Sequence, residues 1–304
     1  MVKREIKDFE LVTDAGRYPC TTPCSVSSAL ALAGASGEEI IDSLAFEGVF
    51  NIDDAAFSMK HIYMRIRGVR IPFEVFINGD EIGSFDGKQF VYNICVNGKV
   101  RLGENRLKIK FTDSDNFEAR YASIPHAVEI LRFSGAIIDR ASVSQTHGAG
   151  GVKLDIRLDI LGNPDNVRAV ATLVSPTGQI YYGGLTKGKG SITVNDPLYW
   201  WPRGLGVQNL YRLTVNLYVD MDVEDSLETR IGLRTVKTNS TADSSTLTVN
   251  GVEFLPMGAT FYPDRDPDFT SLDRKIEAYV TSAAMSEFNT ILIPADAARP
   301  SDKL

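Results

Sequence analysis

Two runs of strict alternation constrain this chain most. Tyr211, Leu213, Val215, Leu217 and Val219 take turns with Arg212, Thr214, Asn216 and Tyr218. Val152, Leu154, Ile156, Leu158 and Ile160 take turns with Lys153, Asp155, Arg157 and Asp159. A period of two puts all apolar side chains on one face of an extended strand, whereas a helix of the same residues would scatter them. Just ahead of the Tyr211 run, Tyr199-Trp200-Trp201 ends at Pro202 and a glycine-rich turn follows, Gly204-Leu205-Gly206. Read from residue types alone, this is a packed corner between strands. Both tryptophans of the chain lie in it, and buried tryptophans usually fill cores.

Other strands follow the same signals. Ile62, Met64 and Ile66 alternate with Tyr63, Arg65 and Arg67, and Phe73, Val75 and Ile77 run into Asn78-Gly79. Asn-Gly between alternating segments predicts a tight hairpin, because both turn positions need positive φ. Ile82-Gly83 and a turn at Phe85-Asp86-Gly87 come next, then Leu102-Gly103-Glu104-Asn105 turns into Leu107, Ile109 and Phe111. After the Val152 strand, Asn163-Pro164-Asp165 and Pro176-Thr177-Gly178 are turns. Leu247 and Val249 meet Asn250-Gly251 and then Val252 and Phe254, another hairpin. Short strands with regular turns predict antiparallel β-sandwiches. Residues 1 to 45 are weakly patterned, a loop and a short helix around Ser25–Ala35. Past Ser240 the period changes. Thr270 and Asp273 come close to a capping box, and Leu272, Ile276, Tyr279, Val280, Ala283, Ala284 and Phe288 recur at helical spacing. Thr290–Pro294 is then a short apolar strand. Strand, helix, strand is the opening unit of an α/β barrel.

At 304 residues the chain has room for two domains, or three small ones. The net charge of −7 is spread without long runs, which argues against nucleic acid and anionic membrane surfaces as partners. No apolar run is long enough to span a bilayer. The cysteines are Cys20, Cys24 and Cys95. An odd count with one close pair is not a disulfide framework, and Cys-x-x-x-Cys without a second ligand pair is a weak metal signal, so free thiols and no metal are expected. His61, His126 and His147 have no metal-ligand spacing. Gly148-Ala149-Gly150-Gly151 lacks the Lys-Ser/Thr and helix of a phosphate loop, which leaves a flexible connection. No cofactor is expected. The charged N-terminus has no early apolar region, so the default compartment is the cytoplasm, or the lysosome if a leader precedes this sequence. Asn239-Ser240-Thr241 is a sequon that matters only in a secretory or lysosomal compartment.

Taken in order, Trp200, Trp201, Pro202, Gly204, Gly206, Gln208, Leu210, Tyr211, Leu213, and then Ile231, Gly232, Leu233, Arg234 and Thr235 resemble glycoside hydrolase family 2, the β-mannosidases above all. Pro23, Val26, Leu30 and Gly34 are similar to a stretch near the start of that family. Asn78-Gly79, Ile82-Gly83 and Gly103-Glu104-Asn105 are similar to its first domain. The resemblance implies a galactose-binding-like jelly roll over 1–135, an immunoglobulin-like sandwich over 136–238 and the first strands and helix of a truncated TIM-type barrel over 239–304. The structural motif is Trp200, Trp201, Pro202, Gly204, Gly206 and Arg234. Val249-Asn250-Gly251 and Gly258-Ala259 fit the entry to the barrel.

The resemblance also marks departures. Family β-mannosidases carry a Trp-Asp-Trp loop where residues 111–135 hold no tryptophan. Where they have Gly-Ala-Asn-Trp, this chain has Gly258-Ala259-Thr260-Phe261. Where they have Asn-x-Ile-Arg-Val-Trp-Gly, it has Asn289-Thr290-Ile291-Leu292-Ile293-Pro294-Ala295. Leu292, Phe261 and Pro294 cannot imitate a guanidinium fork or stacking indoles. The family-aligned substrate-binding positions are therefore Thr260, Phe261 and Pro294, in altered form. A retaining glycosidase needs two carboxyl groups about 5 Å apart, which the family carries on later barrel strands. A barrel takes about 250 residues, far more than follow Asn250, so no catalytic residue is assigned. Glu277 and Glu287 read as solvated helix surface. There is no Gly-x-Ser-x-Gly elbow.

The expectation is therefore the N-terminal, non-catalytic part of a β-mannosidase-like hydrolase, inactive alone. The full-length relative would cleave terminal β-mannosides with retention. A carbohydrate, a β-mannoside, is the expected partner, with room for a second chain that completes the barrel. The alternative is a non-catalytic carbohydrate-binding or scaffold protein derived from that family.

Overall fold

A computed structural model describes residues 1–35, 44–112, 122–163, 167–219, 222–240, 245–261 and 269–294. The described residues are mainly β. They fall into two compact units, one built on Val2–Phe133 and the other on Ser134–Ala259, with the segments from Thr260 on shared between them.

The first unit runs β1 (Val2–Ile6), β2 (Asp8–Thr13), β3 (Gly16–Thr21), β4 (Cys24–Ser25), a helix (Val26–Leu32), β5 (Leu44–Ile52), β6 (His61–Arg67), β7 (Phe73–Ile77), β8 (Asp80–Phe85), β9 (Val91–Cys95), β10 (Gly103–Phe111), β11 (Ser123–Ile124) and β12 (Val128–Phe133). A four-stranded sheet has the order β1-β12-β6-β9, and a six-stranded sheet the order β3-β2-β5-β10-β7-β8. The inward residues of both sheets share one core, with Leu11, Phe46, Met64, Ile66, Phe73, Val75 and Ile109 fully buried. Burying a side chain of this size stabilises by about 1.5–3 kcal/mol.

The N-terminal segment departs from its expected weak patterning, since three strands form before residue 22. Alternation there is short, and the strands are defined by pairing. Phe9 and Leu11 sit opposite Gly48 and Phe46 of β5. The helix at Val26–Leu32 is as expected, and Ser25 caps it in a capping box with Ser28.

The Asn78-Gly79 hairpin has the expected positive φ at both positions, 54° and 94°. Asn105 is fully buried. Its amide donates to the Arg101 and Gly103 carbonyls at 2.8 and 3.0 Å and accepts from Asn78 Nδ2 at 2.9 Å. The separate Asn-Gly and Gly-Glu-Asn signals are thus two halves of one junction. All six residues of β12 are buried, Glu129 and Arg132 included. Lys3 Nζ lies 2.7 Å from Glu129, and Arg67 also pairs with it.

The second unit runs β13 (Ala136–Gly148), β14 (Gly151–Gly162), β15 (Val167–Val174), β16 (Ile180–Thr186), β17 (Lys189–Val194), β18 (Tyr211–Val219) and β19 (Asp222–Ile231), then β20 (Val236–Ser240), β21 (Ser245–Val249), β22 (Val252–Phe254), β23 (Gly258–Thr260) and β24 (Thr290–Leu292). Strands β13 to β19 form one seven-stranded sheet, β13-β14-β17-β16-β15-β18-β19. Its joint is the β16–β17 hairpin, held by the single pair Thr186↔Lys189 before the two strands part to different neighbours. The sheet curls until its edges meet: the Ile138 N–H on β13 donates to Asp225 on β19 at 2.8 Å. Val152, Leu154, Ile156, Leu213, Val215 and Leu217, the apolar members of the two alternating runs, fill the core.

Strands β20 to β22 form a three-stranded meander, turning at Asn250-Gly251 with φ of 51° and 81°. Strands β23 and β24 pair with each other. Asn289 and Thr290 donate to Met257 O, so the two strands start side by side and run the same way. A helix, Phe269–Met285, lies between them in sequence. Its Ile276 and Ala283 are buried while Val280 is exposed. It stops before Glu287 and Asn289, because Glu287 takes a positive φ of 62°. The side chains of Thr270 and Asp273, residues 164–165, Thr241 and most of the 111–121 stretch lie outside the described residues.

Candidate functional site

The aromatic-glycine motif forms a cap that closes on itself and on residues 232–234, which follow β19. Trp200 N–H donates to Leu233 O at 2.9 Å and Trp201 N–H to Val207 O at 3.1 Å, with a bridge between Trp200 and Gln208. Each glycine has a separate reason. Gly204 sits at φ 89°, which favours glycine. A Cβ on Gly206 would stand 2.9 Å from Trp201 Cγ, and one on Gly232 would stand 2.8 Å from Trp200 Cβ. The Arg234 guanidinium lies over the Trp200 ring, 4.7 Å from its centroid, a cation–π contact.

The tryptophans do not fill the core. Both are half-buried; Tyr211 takes the inner position, and Tyr199, itself half-buried, packs against the core. Tyr211 is fully buried and its hydroxyl accepts from Leu198 N–H at 2.8 Å. Burial raises its pKa above the ordinary phenol value and keeps it neutral.

Two residues hold the cap, one named in the sequence only as a hairpin and barrel-entry position, the other not singled out at all. Asn250 donates from Nδ2 to Trp200 O at 3.0 Å and accepts at Oδ1 from Thr235 N–H at 2.9 Å, so the hairpin asparagine is also a clamp. Gln145 donates to Gly232 O at 2.9 Å and accepts from Arg234 N–H at 3.1 Å. His147 stacks on Tyr199 with ring centroids 5.9 Å apart. No local pattern marks Gln145, whose partners lie almost ninety positions away.

Of the family-aligned positions, Thr260 ends β23, Phe261 follows it, and Pro294 lies two residues past the end of β24. Thr260 is exposed, and its carbonyl accepts from the Tyr279 hydroxyl at 3.3 Å. Phe261 is half-buried against Tyr279, centroids 4.9 Å apart. Pro294 is half-buried, and Leu292 before it is exposed. Glu277 and Glu287 are both exposed. A shallow trough of about 1010 Å³ lies on the six-stranded sheet of the first unit, over Val49 and Phe76. Arg17 pairs across it with Glu10 and Glu47, both at 2.7 Å, and Lys110 pairs with Glu74 beside it at 3.4 Å. Among the described residues no group of three or more His, Cys, Asp or Glu could hold a metal ion, and no helix is long and apolar enough to cross a membrane.

With the cap and its glycines in place, the comparisons are direct. Residues 135–234 match the sequence profile of Glycosyl hydrolases family 2. Two curated relatives are an exo-β-D-glucosaminidase of Amycolatopsis orientalis, 24% identical over 70% of this chain and 23% of its own length, and β-mannosidase B of Emericella nidulans, 29% identical over 47% of this chain and 18% of its own. Among solved structures, the β-D-mannosidase from Dictyoglomus thermophilum superposes with a TM-score of 0.82 at 18% identity, covering 99% of this chain and 45% of that one. This chain therefore spans less than half of each of these three proteins. The fold and the motif define the class: over residues 135–234 the chain is similar to Glycosyl hydrolases family 2. The likeness is to the β-mannosidases and exo-β-D-glucosaminidases of that family.

Proposed function

We propose that this chain is the N-terminal, non-catalytic β part of a β-mannosidase-like glycoside hydrolase whose whole form cleaves terminal β-mannosides with retention. The observation that carries this is the fold likeness to a β-D-mannosidase, which takes in nearly all of this chain and less than half of that one. In this reading residues 1–135 are a galactose-binding-like jelly roll, 136–238 an immunoglobulin-like sandwich, and 239–304 the opening of a TIM-type barrel. The parallel pair β23–β24 with a helix between its strands supports the last of these. The partner of that whole form is a carbohydrate, a β-mannoside. Thr260, Phe261 and Pro294 are the positions nearest to it, and the carboxylate pair comes from outside the described residues, from a second chain if need be.

A second reading, a carbohydrate-binding or scaffold protein, is favoured by Phe261, Leu292 and Pro294 standing where the resemblance implies tryptophans and an arginine. One assay on the purified chain separates the readings. Chromogenic β-mannoside, β-glucosaminide and β-glucuronide are each tested for hydrolysis, and the unsubstituted sugars for binding by calorimetry. No turnover with no binding is the expected result. Binding without turnover selects the second reading. Turnover of any of the three substrates overturns the non-catalytic assignment.

A further inference from the structure

The motif Cys20-x-x-x-Cys24 plays no part in the function above, yet the fold brings its sulfurs together. Cys20 lies on β3 and Cys24 opens β4, directly before the helix cap Ser25. Their Sγ atoms are 3.4 Å apart, both side chains are buried in the first core, and both are free thiols. Cys95, the third thiol, is exposed on a different sheet. Two thiols in van der Waals contact need to approach by little more than an ångström to reach the bonded S–S separation of about 2.05 Å.

We propose that Cys20 and Cys24 are a modification site, a vicinal dithiol that a small peroxide converts reversibly to an intramolecular disulfide. Burial selects a small oxidant, so hydrogen peroxide is the class named. The Cys20 thiolate attacks one peroxide oxygen, the O–O bond breaks, and the departing hydroxide takes up a proton to leave as water. The Cys24 sulfur then attacks the Cys20 sulfenic sulfur. The S–S bond forms, the S–O bond breaks, and the hydroxyl leaves with the Cys24 proton as a second water. In sum two thiols and one peroxide give one disulfide and two waters, and two electrons pass from sulfur to oxygen.

The roles follow from the contacts. The Cys24 thiol donates to Cys20, and the Leu11 backbone N–H points at the Cys20 sulfur as well. Both bonds favour the Cys20 thiolate, while the Cys20 bond and burial push Cys24 up. Burial slows the first step relative to an open thiol. The second step is intramolecular between atoms already in contact, which speeds it. The disulfide would tie the end of β3 to the start of the Val26–Leu32 helix.

The test uses the Cys95→Ala chain, treated with hydrogen peroxide while folded, then alkylated and digested with trypsin. Both cysteines fall in the single peptide Tyr18–Lys60. The expected product is that peptide about 2 Da lighter and without alkylation, both changes reversed by dithiothreitol. In Cys24→Ser the peptide should instead stop at a sulfenic acid, about 16 Da heavier and trapped by dimedone. Two alkylatable thiols that survive peroxide doses oxidising Cys95 in the parent chain would overturn the proposal. So would sulfinic products without mass loss, or a disulfide that forms only in urea. If Cys24→Ser does not fold, the mass of the peptide from the Cys95→Ala chain decides alone.

Discussion

The two units solve the same problem differently. The first closes by laying a four-stranded sheet over a six-stranded one, and its core is pinned by pairings that reach across the whole of Val2–Phe133. The second has one curled sheet and a cap of a few residues, Tyr199 to Gln208, held by Asn250, Gln145 and Arg234. A closure shared by many strands leaves a faint trace in sequence, because each position carries a small part of it. A closure concentrated in one loop leaves a dense one. That is why the family resemblance is strongest where the second unit is capped.

Both tryptophans report on the second unit, while circular dichroism reports on both, so the comparison can be tested with two probes. The largest effect is expected from Phe46→Ala, which empties a fully buried site in the first core and should destabilise that unit by about 3–5 kcal/mol. The circular dichroism urea transition should split, with the tryptophan transition left in place. A tryptophan transition that moves equally would show one cooperative block and end the contrast.

Next comes Gly232→Val. Its new side chain meets Trp200 at under 3 Å, an overpacking that costs about 1–3 kcal/mol. The tryptophan transition should shift together with the second unit's share of the dichroism transition, with a red-shifted emission as the cap opens. Asn250→Ala removes two clamps and a residue suited to positive φ, for a loss of about 1–2 kcal/mol seen by the same probe. Asn250→Asp should recover part of it, since Oδ1 is kept.

The smallest effect is electrostatic and belongs to the first unit. The Lys88 backbone N–H, and then the Tyr92 hydroxyl, hold the Asp86 carboxyl below its ordinary value. A lowered folded pKa contributes stability above the unfolded pKa, and that contribution fades as pH falls through the folded one. The dichroism midpoint should therefore drop slightly below the carboxylate range in the parent chain. That drop should shrink in Asp86→Ala, with the tryptophan transition unaffected. An equal drop in both chains would assign it to other carboxylates.

Much of the second unit was legible. Val152–Ile160 and Tyr211–Val219 alternate cleanly because each has one face in the core, and the Asn250-Gly251 turn announces its positive φ. The first unit was less so. Strand β12 is buried on both faces and carries Glu129 and Arg132, so it shows neither alternation nor an apolar run. The paired carboxylate is invisible until Lys3 and Arg67 arrive from other strands. The tryptophans, expected in the core, lie at its rim, because composition says how large a side chain is and not which neighbour reaches the centre first. In the barrel-entry segment, the helix period was visible. How little of its apolar face is covered was not, with Val280 and Leu292 exposed.

By itself, then, the sequence determined the period of each strand, the hairpins and the chemistry of the cap, since these depend on residues within a few positions of one another. Only the tertiary structure decided that Asn250 and Gln145 clamp the cap, that Asn105 and Asn78 form one junction, and that Cys20 and Cys24 face each other within a core. The thiol spacing alone allowed contact without requiring it. Contacts between distant positions depend on how strands pair and curl, and that is a cooperative outcome of the whole chain burying its apolar surface at once.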